Sequence, residues 1–400
     1  MDLCLESDHL AQLRVKMGIL ASTVATIRML ALSYLYGHPS EPLPCTPVRD
    51  LLADVPNLPK QIACVQFVAG NTPTISMMFH ELDPVYGHYR NMAQKFLSDL
   101  ARYGNIQNNA QLKGEAVIVL NDDSTLPVNI LESMLMKKVP LLAHSIRGAD
   151  KAKYALLIPD YHFIEHHGFA RLESYFRQHH TKFKNRSPVV FWRGATTGET
   201  CLLKQKQPNV ESKVRAPCHC FDLPRVQSVN MSRNIPWLDI ALTRTVQLCA
   251  DHHNTRLLEE YKLMAEEVDE KLWPHNRGIL EIDGNVNAWG NRWRTVSGSV
   301  LFRVESDFIN SYNLCQQAWV HFVPISRNLS NLISLTSMVH SKDSRILQKL
   351  ESIATNANRL GSFFTYREEI RRVFGGLSDI WSDKLLQPLN THCNKVSIQQ

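Results

Sequence analysis

The chain has 400 residues, 44% hydrophobic and 20% charged, with a net charge of +6. That is an ordinary globular composition, too long for one core, so two domains are expected. The positive excess is small and scattered, no Lys/Arg run reaches five and no zinc-finger spacing occurs, so it suits small anionic ligands and gives no case for nucleic acid.

The N-terminus, Met1-Asp2-Leu3-Cys4, is acidic and lacks the basic start of a signal peptide. The apolar stretch Met17–Tyr36 is interrupted by Thr23, Thr26 and Arg28 and reads as a core or interfacial helix. Strand-like and helix-like runs then alternate. Ile62–Val68 reads as a strand, Asp83–Tyr103 as a helix stopped by Gly104, Ala116–Leu120 as a strand and Val128–Lys137 as a helix. Val139–His144 and Tyr154–Ile158 are strand-like. After the polar stretch Gln178–Asn185, a candidate boundary, comes a strand at Pro188–Trp192. Helices are expected over Trp237–Cys249 and Thr255–Lys271, and strands at Ile279–Ile282, Val300–Val304 and Val320–Val323. The tail from Ser341 reads as helical. Such alternation predicts an α/β fold with two parallel-sheet layers, and ligands at the carboxyl ends of the strands.

Nine cysteines without regular spacing predict reduced thiols and a cytoplasmic location. The C-terminal Ser-Ile-Gln-Gln is no retention signal, which points the same way. Peripheral contact with the inner membrane face is compatible with that location. Cys218-His219-Cys220 lacks the separation that closes a zinc site. His80-Glu81 with His88 is not His-Glu-x-x-His, and no Asp-x-Asp occurs, so no metal is expected.

Two segments have the composition of anion sites. Phe191-Trp192-Arg193-Gly194 leads from a strand into Ala195-Thr196-Thr197-Gly198. Arg193 offers a bidentate fork, Gly194 close backbone approach, and Thr196 and Thr197 turn donors. The second runs from Ile282-Asp283-Gly284-Asn285 through Trp289, Arg292 and Arg294 to Ser297-Gly298-Ser299. Each has a plainer reading: Arg193 as a surface ion-pair partner, Asp283–Asn285 as a turn, and Trp289 and Trp293 as core.

Five short motifs in order carry a resemblance. They are Trp192-Arg193-Gly194 with Thr197, Ile282-Asp283-Gly284-Asn285, Ser297-Gly298-Ser299-Val300-Leu301-Phe302, Trp319-Val320-His321-Phe322-Val323-Pro324 and Asn328-Leu329-Ser330-Asn331-Leu332. This pattern resembles glycosyltransferase family 90, which holds lipopolysaccharide-modifying, capsule-associated and Rumi-like O-glucosyltransferases. Weaker similarity runs back to Gly114.

The resemblance implies a GT-B-like fold of two Rossmann-like domains facing a cleft: an acceptor-side domain over 1–180 and a nucleotide-sugar domain over 181–359, with helices 360–400 packing back on the first. It implies a UDP-sugar donor, a glycan or glycolipid acceptor and no cofactor. The catalytic aspartate of the family falls on Asp122, after the strand Ala116–Leu120. The alternative for Asp122, and the preferred reading of Asp123, is a helix cap. The donor site implied comprises Arg193, Gly194, Thr196, Thr197, Asp283, Gly284, Asn285, Trp289, Arg292, Ser297, Gly298 and Ser299. Asp160 and Phe163, in a Pro-Asp-x-x-Phe-like segment, would position the cleft. Two departures stand out: the family's arginine before the aspartate is Asn121, and another falls on Gly290. The expected activity is inverting, metal-independent transfer from UDP-sugar to a glycan hydroxyl, as in lipopolysaccharide or capsule synthesis. A non-catalytic nucleotide- or glycan-binding protein of the same fold is the alternative.

Overall fold

A computed structural model of the chain describes residues 62–68, 74–80, 86–107, 112–120, 126–198 and 219–382. All of these lie in one compact unit spanning Pro47–Gln400. Asp122 and its neighbours Asn121 and Asp123, and the stretch Met17–Tyr36, lie outside the described residues.

The first sheet has five strands in the order β2-β1-β3-β4-β6. They are β1 (Ile62–Val68), β2 (Thr74–His80), β3 (Gly114–Val119), β4 (Leu141–Ala143) and β6 (Ala155–Leu157). Strands β3, β4 and β6 run parallel, but β1 is antiparallel to both β2 and β3. The expected all-parallel layer is thus corrected to a mixed sheet. The cause is the short link between β1 and β2, since a parallel return needs a crossover of a dozen or more residues. Helices α1 (Gly87–Gln107), α2 (Val128–Met136) and α3 (Ala149–Ala152) supply the longer connections. The chain then forms α4 (Tyr161–Glu165) and α5 (Ala170–Gln178).

The second sheet is wholly parallel, in the order β12-β10-β9-β7-β8. Its strands are β7 (Ser187–Ala195), β8 (Leu238–Arg244), β9 (Asn276–Glu281), β10 (Val300–Val304) and β12 (Val323–Ile325). Central strands such as β10, Val-Leu-Phe-Arg-Val, are almost continuously apolar because helices cover both faces of a parallel sheet. The helix expected over Trp237–Cys249 is instead the edge strand β8. Its Leu238, Ile240 and Leu242 are buried and alternate with more exposed residues, which is the period of a strand. Helix α6 (Pro224–Ser232) and α7 (His252–Glu260) flank β8; α7 ends well short of Lys271. A short α8 (Asn291–Thr295) joins β9 to β10, and α9 (Leu332–Thr336) follows β12.

Each sheet has its own apolar core. The first gathers Phe96, Leu97, Ile118 and Leu142, and the second Trp192, Leu280, Trp293 and Phe302. The last two helices divide between them. Leu350, Ile353 and Leu360 of α10 (Ser344–Ser362) join the second core, while Ile370, Val373, Phe374 and Leu377 of α11 (Tyr366–Trp381) join the first. A small antiparallel pair, β5 (Ile146–Arg147) with β11 (Phe308–Ile309), ties the two halves together. Beside it the Gly148 amide donates to the Asp307 carbonyl at 2.9 Å. Ser145 Oγ donates to Asn287 Oδ1 at 2.8 Å, and Asn287 Nδ2 donates to the Phe308 carbonyl at 3.0 Å.

The reduced-thiol expectation is overturned. Cys220 and Cys249 are joined at 2.04 Å with both residues buried, and Cys64 and Cys315 each also take part in a disulfide. The error lay in reading pairing from spacing along the chain, because Cys220 and Cys249 are 29 positions apart and meet only in the fold. Disulfides belong to oxidising compartments as a rule, which removes the thiol argument for a cytoplasmic setting. Among the described residues no helix is long and apolar enough to cross a membrane.

Candidate anion site at the switch point of the second sheet

Read in chain order, the second sheet runs β8-β7-β9-β10-β12, a 2-1-3-4-5 arrangement. In such sheets the chain leaves β7 toward one side and β9 toward the other, and a crevice opens between their carboxyl ends. The loops there are Thr196–Gly198 after β7 and Ile282–Asn285 after β9.

The loops are in contact. A Cβ on Gly284 would lie 2.5 Å from Thr197 Oγ1 and 3.1 Å from Arg225 Nη2, so only glycine fits. Gly198 has φ +148°, a region L side chains rarely adopt. Thr196 is buried and anchors its loop to the segment after β8: its Oγ1 donates to the Val246 carbonyl at 3.0 Å and accepts from the Val246 amide at 2.8 Å. Asp283 Oδ1 accepts from the Ala288 amide at 3.1 Å, and the Gly284 amide donates to the Val286 carbonyl at 3.0 Å. Burial raises the pKa of Asp283 to about 6, with neighbouring Glu281 adding to the rise while hydrogen bonds to Ser306 and Ala288 oppose it.

A residue not singled out from the sequence holds this crevice together. Arg225, in the first turn of α6, donates Nε to the Asp283 carbonyl at 3.0 Å and Nη2 to the Ile282 carbonyl at 3.2 Å. Its Nη1 donates to the Ala195 carbonyl at 3.1 Å and to Thr197 Oγ1 at 2.5 Å. Burial first, and Arg294 second, pull its pKa down to about 10. With most of its donors on carbonyls, Arg225 shapes the loops rather than facing a ligand. The available sequence signal was Pro224, a residue favoured at the first position of a helix.

Arg294 has two buried donors to spare, against one on Arg193 (Nε) and one on Arg292 (Nη1). The Nε and Nη1 of Arg294 are buried without a hydrogen-bond partner among the described residues. Its guanidinium carbon lies 5.3 Å from the Trp273 ring centre and 5.2 Å from that of Trp293. Burial lowers its pKa, while Glu281, Glu270 and Asp283 act in the opposite direction. Gly290 makes room for it: a Cβ there would lie 2.8 Å from both Arg294 Nη2 and Trp293 Nε1. A helical side chain covers the turn N-terminal to its own Cα. Arg294 therefore occupies the space over position 290, where the resemblance implies an arginine.

The other predicted residues are distributed as follows. Arg193 donates Nη2 to Asp239 Oδ1 at 2.7 Å and Nη1 to the carbonyls of Asp239 and Trp192, both at 3.0 Å, and lies over Phe191. Gly194 accommodates the Trp192 ring, 2.5 Å from where its Cβ would be. Arg292 has no exposed side-chain surface; it donates Nη2 to Glu173 Oε2 at 2.8 Å and Nε to the Phe364 carbonyl at 2.7 Å. Arg193 and Arg292 thus share no partner, and neither shares one with Arg225.

Ser297, Gly298 and Ser299 precede β10, at the amino end of the sheet and opposite the crevice, because a parallel crossover carries the chain from the carboxyl end of one strand to the amino end of the next. There Arg186 Nη1 donates to Ser299 Oγ at 3.0 Å and to the Ser297 carbonyl at 3.3 Å. Trp289 lies against Tyr89 and His144, with ring centres 5.5 and 6.0 Å away. His144 is 2% exposed, and burial pulls its pKa down to about 4, so its imidazole is neutral at pH 7. Asp160 caps α4, accepting from the Phe163 amide at 2.8 Å, and burial raises its pKa to about 7 against several hydrogen bonds. Phe163 is core.

The structure therefore brings together Thr196, Thr197, Asp283, Gly284 and Asn285 with Arg225, and sets Arg294 close enough to act on both Arg225 and Asp283. No protein-family model matches the chain, and no curated protein matches it.

Proposed function

We propose that the chain is a glycosyltransferase that moves a sugar from a UDP-sugar to an acceptor hydroxyl with inversion. The observation that carries this reading is the pair of touching loops at the switch point, stapled by Arg225 and flanked by an arginine, Arg294, whose buried donors lack partners. A diphosphate suits that arrangement, because a desolvated guanidinium and fixed loop amides stabilise charge developing on a leaving oxygen. Arg294 takes the role the sequence reading gave to Arg292. In the reaction, the acceptor oxygen forms a bond to the anomeric carbon as the bond to the diphosphate breaks. The hydroxyl proton passes to Asp122, and UDP departs.

The test is thermal denaturation with UDP, together with UDP release from a panel of UDP-sugars. UDP is expected to raise the melting temperature and a short oligonucleotide to leave it unchanged. Arg294→Met should abolish the UDP effect. Asp122→Ala should abolish turnover while UDP still binds. UDP binding without turnover for any UDP-sugar would favour the non-catalytic binding protein. The absence of any UDP effect would overturn both readings.

A further inference from the structure

Three potential metal ligands meet on α4 and its C-cap residue His166, and the sugar-transfer reading uses none of them. His162, Glu165 and His166 each offer a ligand atom, and these atoms all lie within 4.8 Å of one another. The spacing produces this, because residues three and four apart share a helix face. The His162 and His166 rings stand at 87° with centroids 4.4 Å apart. Phe169, itself buried, backs both: it meets His162 edge-on at 5.3 Å and stacks on His166 at 5.5 Å. The two imidazoles therefore rest on a fixed wall. From α1, His88 Nε2 lies 3.5 Å from Glu165 Oε2. It is placed as outer partners of metal ligands are, orienting the carboxylate.

We propose that His162, Glu165 and His166 bind a divalent transition metal of the zinc class, with His88 steadying Glu165 and solvent completing the coordination. The site stands independently of the sugar-transfer reading. Two imidazoles and one carboxylate form a donor set that suits Zn²⁺ better than Mg²⁺ or Ca²⁺. Zinc bonds of about 2.0–2.2 Å put tetrahedral ligand atoms roughly 3.3–3.6 Å apart. The three groups must close in slightly, and Glu165 and His166 are exposed enough to rotate and admit the ion. The positive charge of Arg294 reaches His162, so coordination bonds rather than bulk negative charge must supply the affinity. The order His-x-x-Glu-His reverses the zinc motif ruled out at His80-Glu81, whose glutamate acts as a base, whereas here the Glu165 oxygen converges with both imidazoles.

Titration of Zn²⁺ into the full chain under non-reducing conditions tests the site. Wild type should take up Zn²⁺ at this site. Glu165→Gln and His166→Gln, both at exposed positions, should each weaken it at least about tenfold, since losing even an outer partner costs that much; His88→Ala should weaken it by about tenfold. Co²⁺ should give visible bands without the near-ultraviolet band of thiolate coordination, which separates the site from free cysteines. Zn²⁺ should also increase amide protection at the start of α1. Melting temperatures in chelator that match wild type show that the variants are folded. No Zn²⁺ uptake by wild type, or uptake unchanged in folded Glu165→Gln and His166→Gln, would overturn the proposal.

Discussion

Arg292 and Glu173 set the terms at the residue scale. A guanidinium with no exposed surface is tolerable only while its carboxylate stays in place. Glu173→Ala strands that charge and should cost about 3–5 kcal/mol in urea unfolding, whereas Glu173→Leu with Arg292→Met should lie much closer to wild type. The same pair of sites separates structure from ligand binding. UDP should still stabilise the folded double variant, because Arg294 and not Arg292 faces the anion in this reading. Asp160 makes a second case. Its folded pKa of about 7 lies above the unfolded value near 3.8, so the native state holds the proton more tightly. That stabilisation is complete below about pH 4 and is lost as pH rises through 7, up to about 4 kcal/mol at ~1.4 kcal/mol per unit. His144 and His162, both held near 4, push the opposite way: their contribution is present above the unfolded value of 6.5 and disappears as pH falls through 4. Asp283, raised from 3.8 to about 6, acts in the same direction as Asp160, so the two acids nearly offset the two histidines and wild-type stability should vary little between pH 4 and 7. Asp160→Asn keeps a cap oxygen for the Phe163 amide and removes the first effect. Its unfolding free energy should rise with pH across that window, and a profile parallel to wild type would contradict the assignment.

At the scale of elements, α6 matters because it delivers Arg225 to the crevice. The Cys220–Cys249 bond holds the turn just before α6 to the turn just before α7. Closing a loop of 29 positions is worth about 3–4 kcal/mol through the entropy of the unfolded chain. Cys220→Ala with Cys249→Ala should lower the unfolding free energy in urea by that amount under non-reducing conditions, and an unchanged value would mean the bond is absent in solution. The same elements show what the sequence makes legible. Strands β7, β9 and β10 were readable because strands buried on both faces are continuous apolar runs. Strand β8 was not, since the apolar residues of Leu-Asp-Ile-Ala-Leu-Thr-Arg and the Val246 and Leu248 that follow also fit a helical spacing. The two turns of the crevice were readable from Thr-Thr-Gly and Asp-Gly-Asn. Arg225 was not, because its role comes from carbonyls 30 to 58 residues away in the chain. Choosing between Arg292 and Arg294 required the rotation of α8 about its axis, which five residues of sequence do not specify.

The whole molecule poses a question of coupling. Each sheet has a core of its own, and α10 and α11, adjacent in the chain, serve different cores. Two such halves would unfold separately unless contacts between them were strong enough to make the transition one event. The β5–β11 pair and the buried Asn287 are such contacts, and Asn287 belongs to neither core: it accepts from Ser145 and donates to the Phe308 carbonyl. Asn287→Ala leaves a buried hydroxyl and a buried carbonyl without their partner, which costs about 1–3 kcal/mol. Because that loss falls on the junction, it should reduce cooperativity more than it weakens either core. Calorimetry should show one transition for wild type and a broadened or divided one for the variant. Amide exchange should then report different opening energies for β3 and β9, where wild type should give equal ones. A uniform drop in both strands with a single sharp transition would show that the halves are coupled elsewhere. The linker at Phe363–Thr365, where the chain passes from one core to the other and Phe364 accepts the Arg292 bond, would then be the place to look.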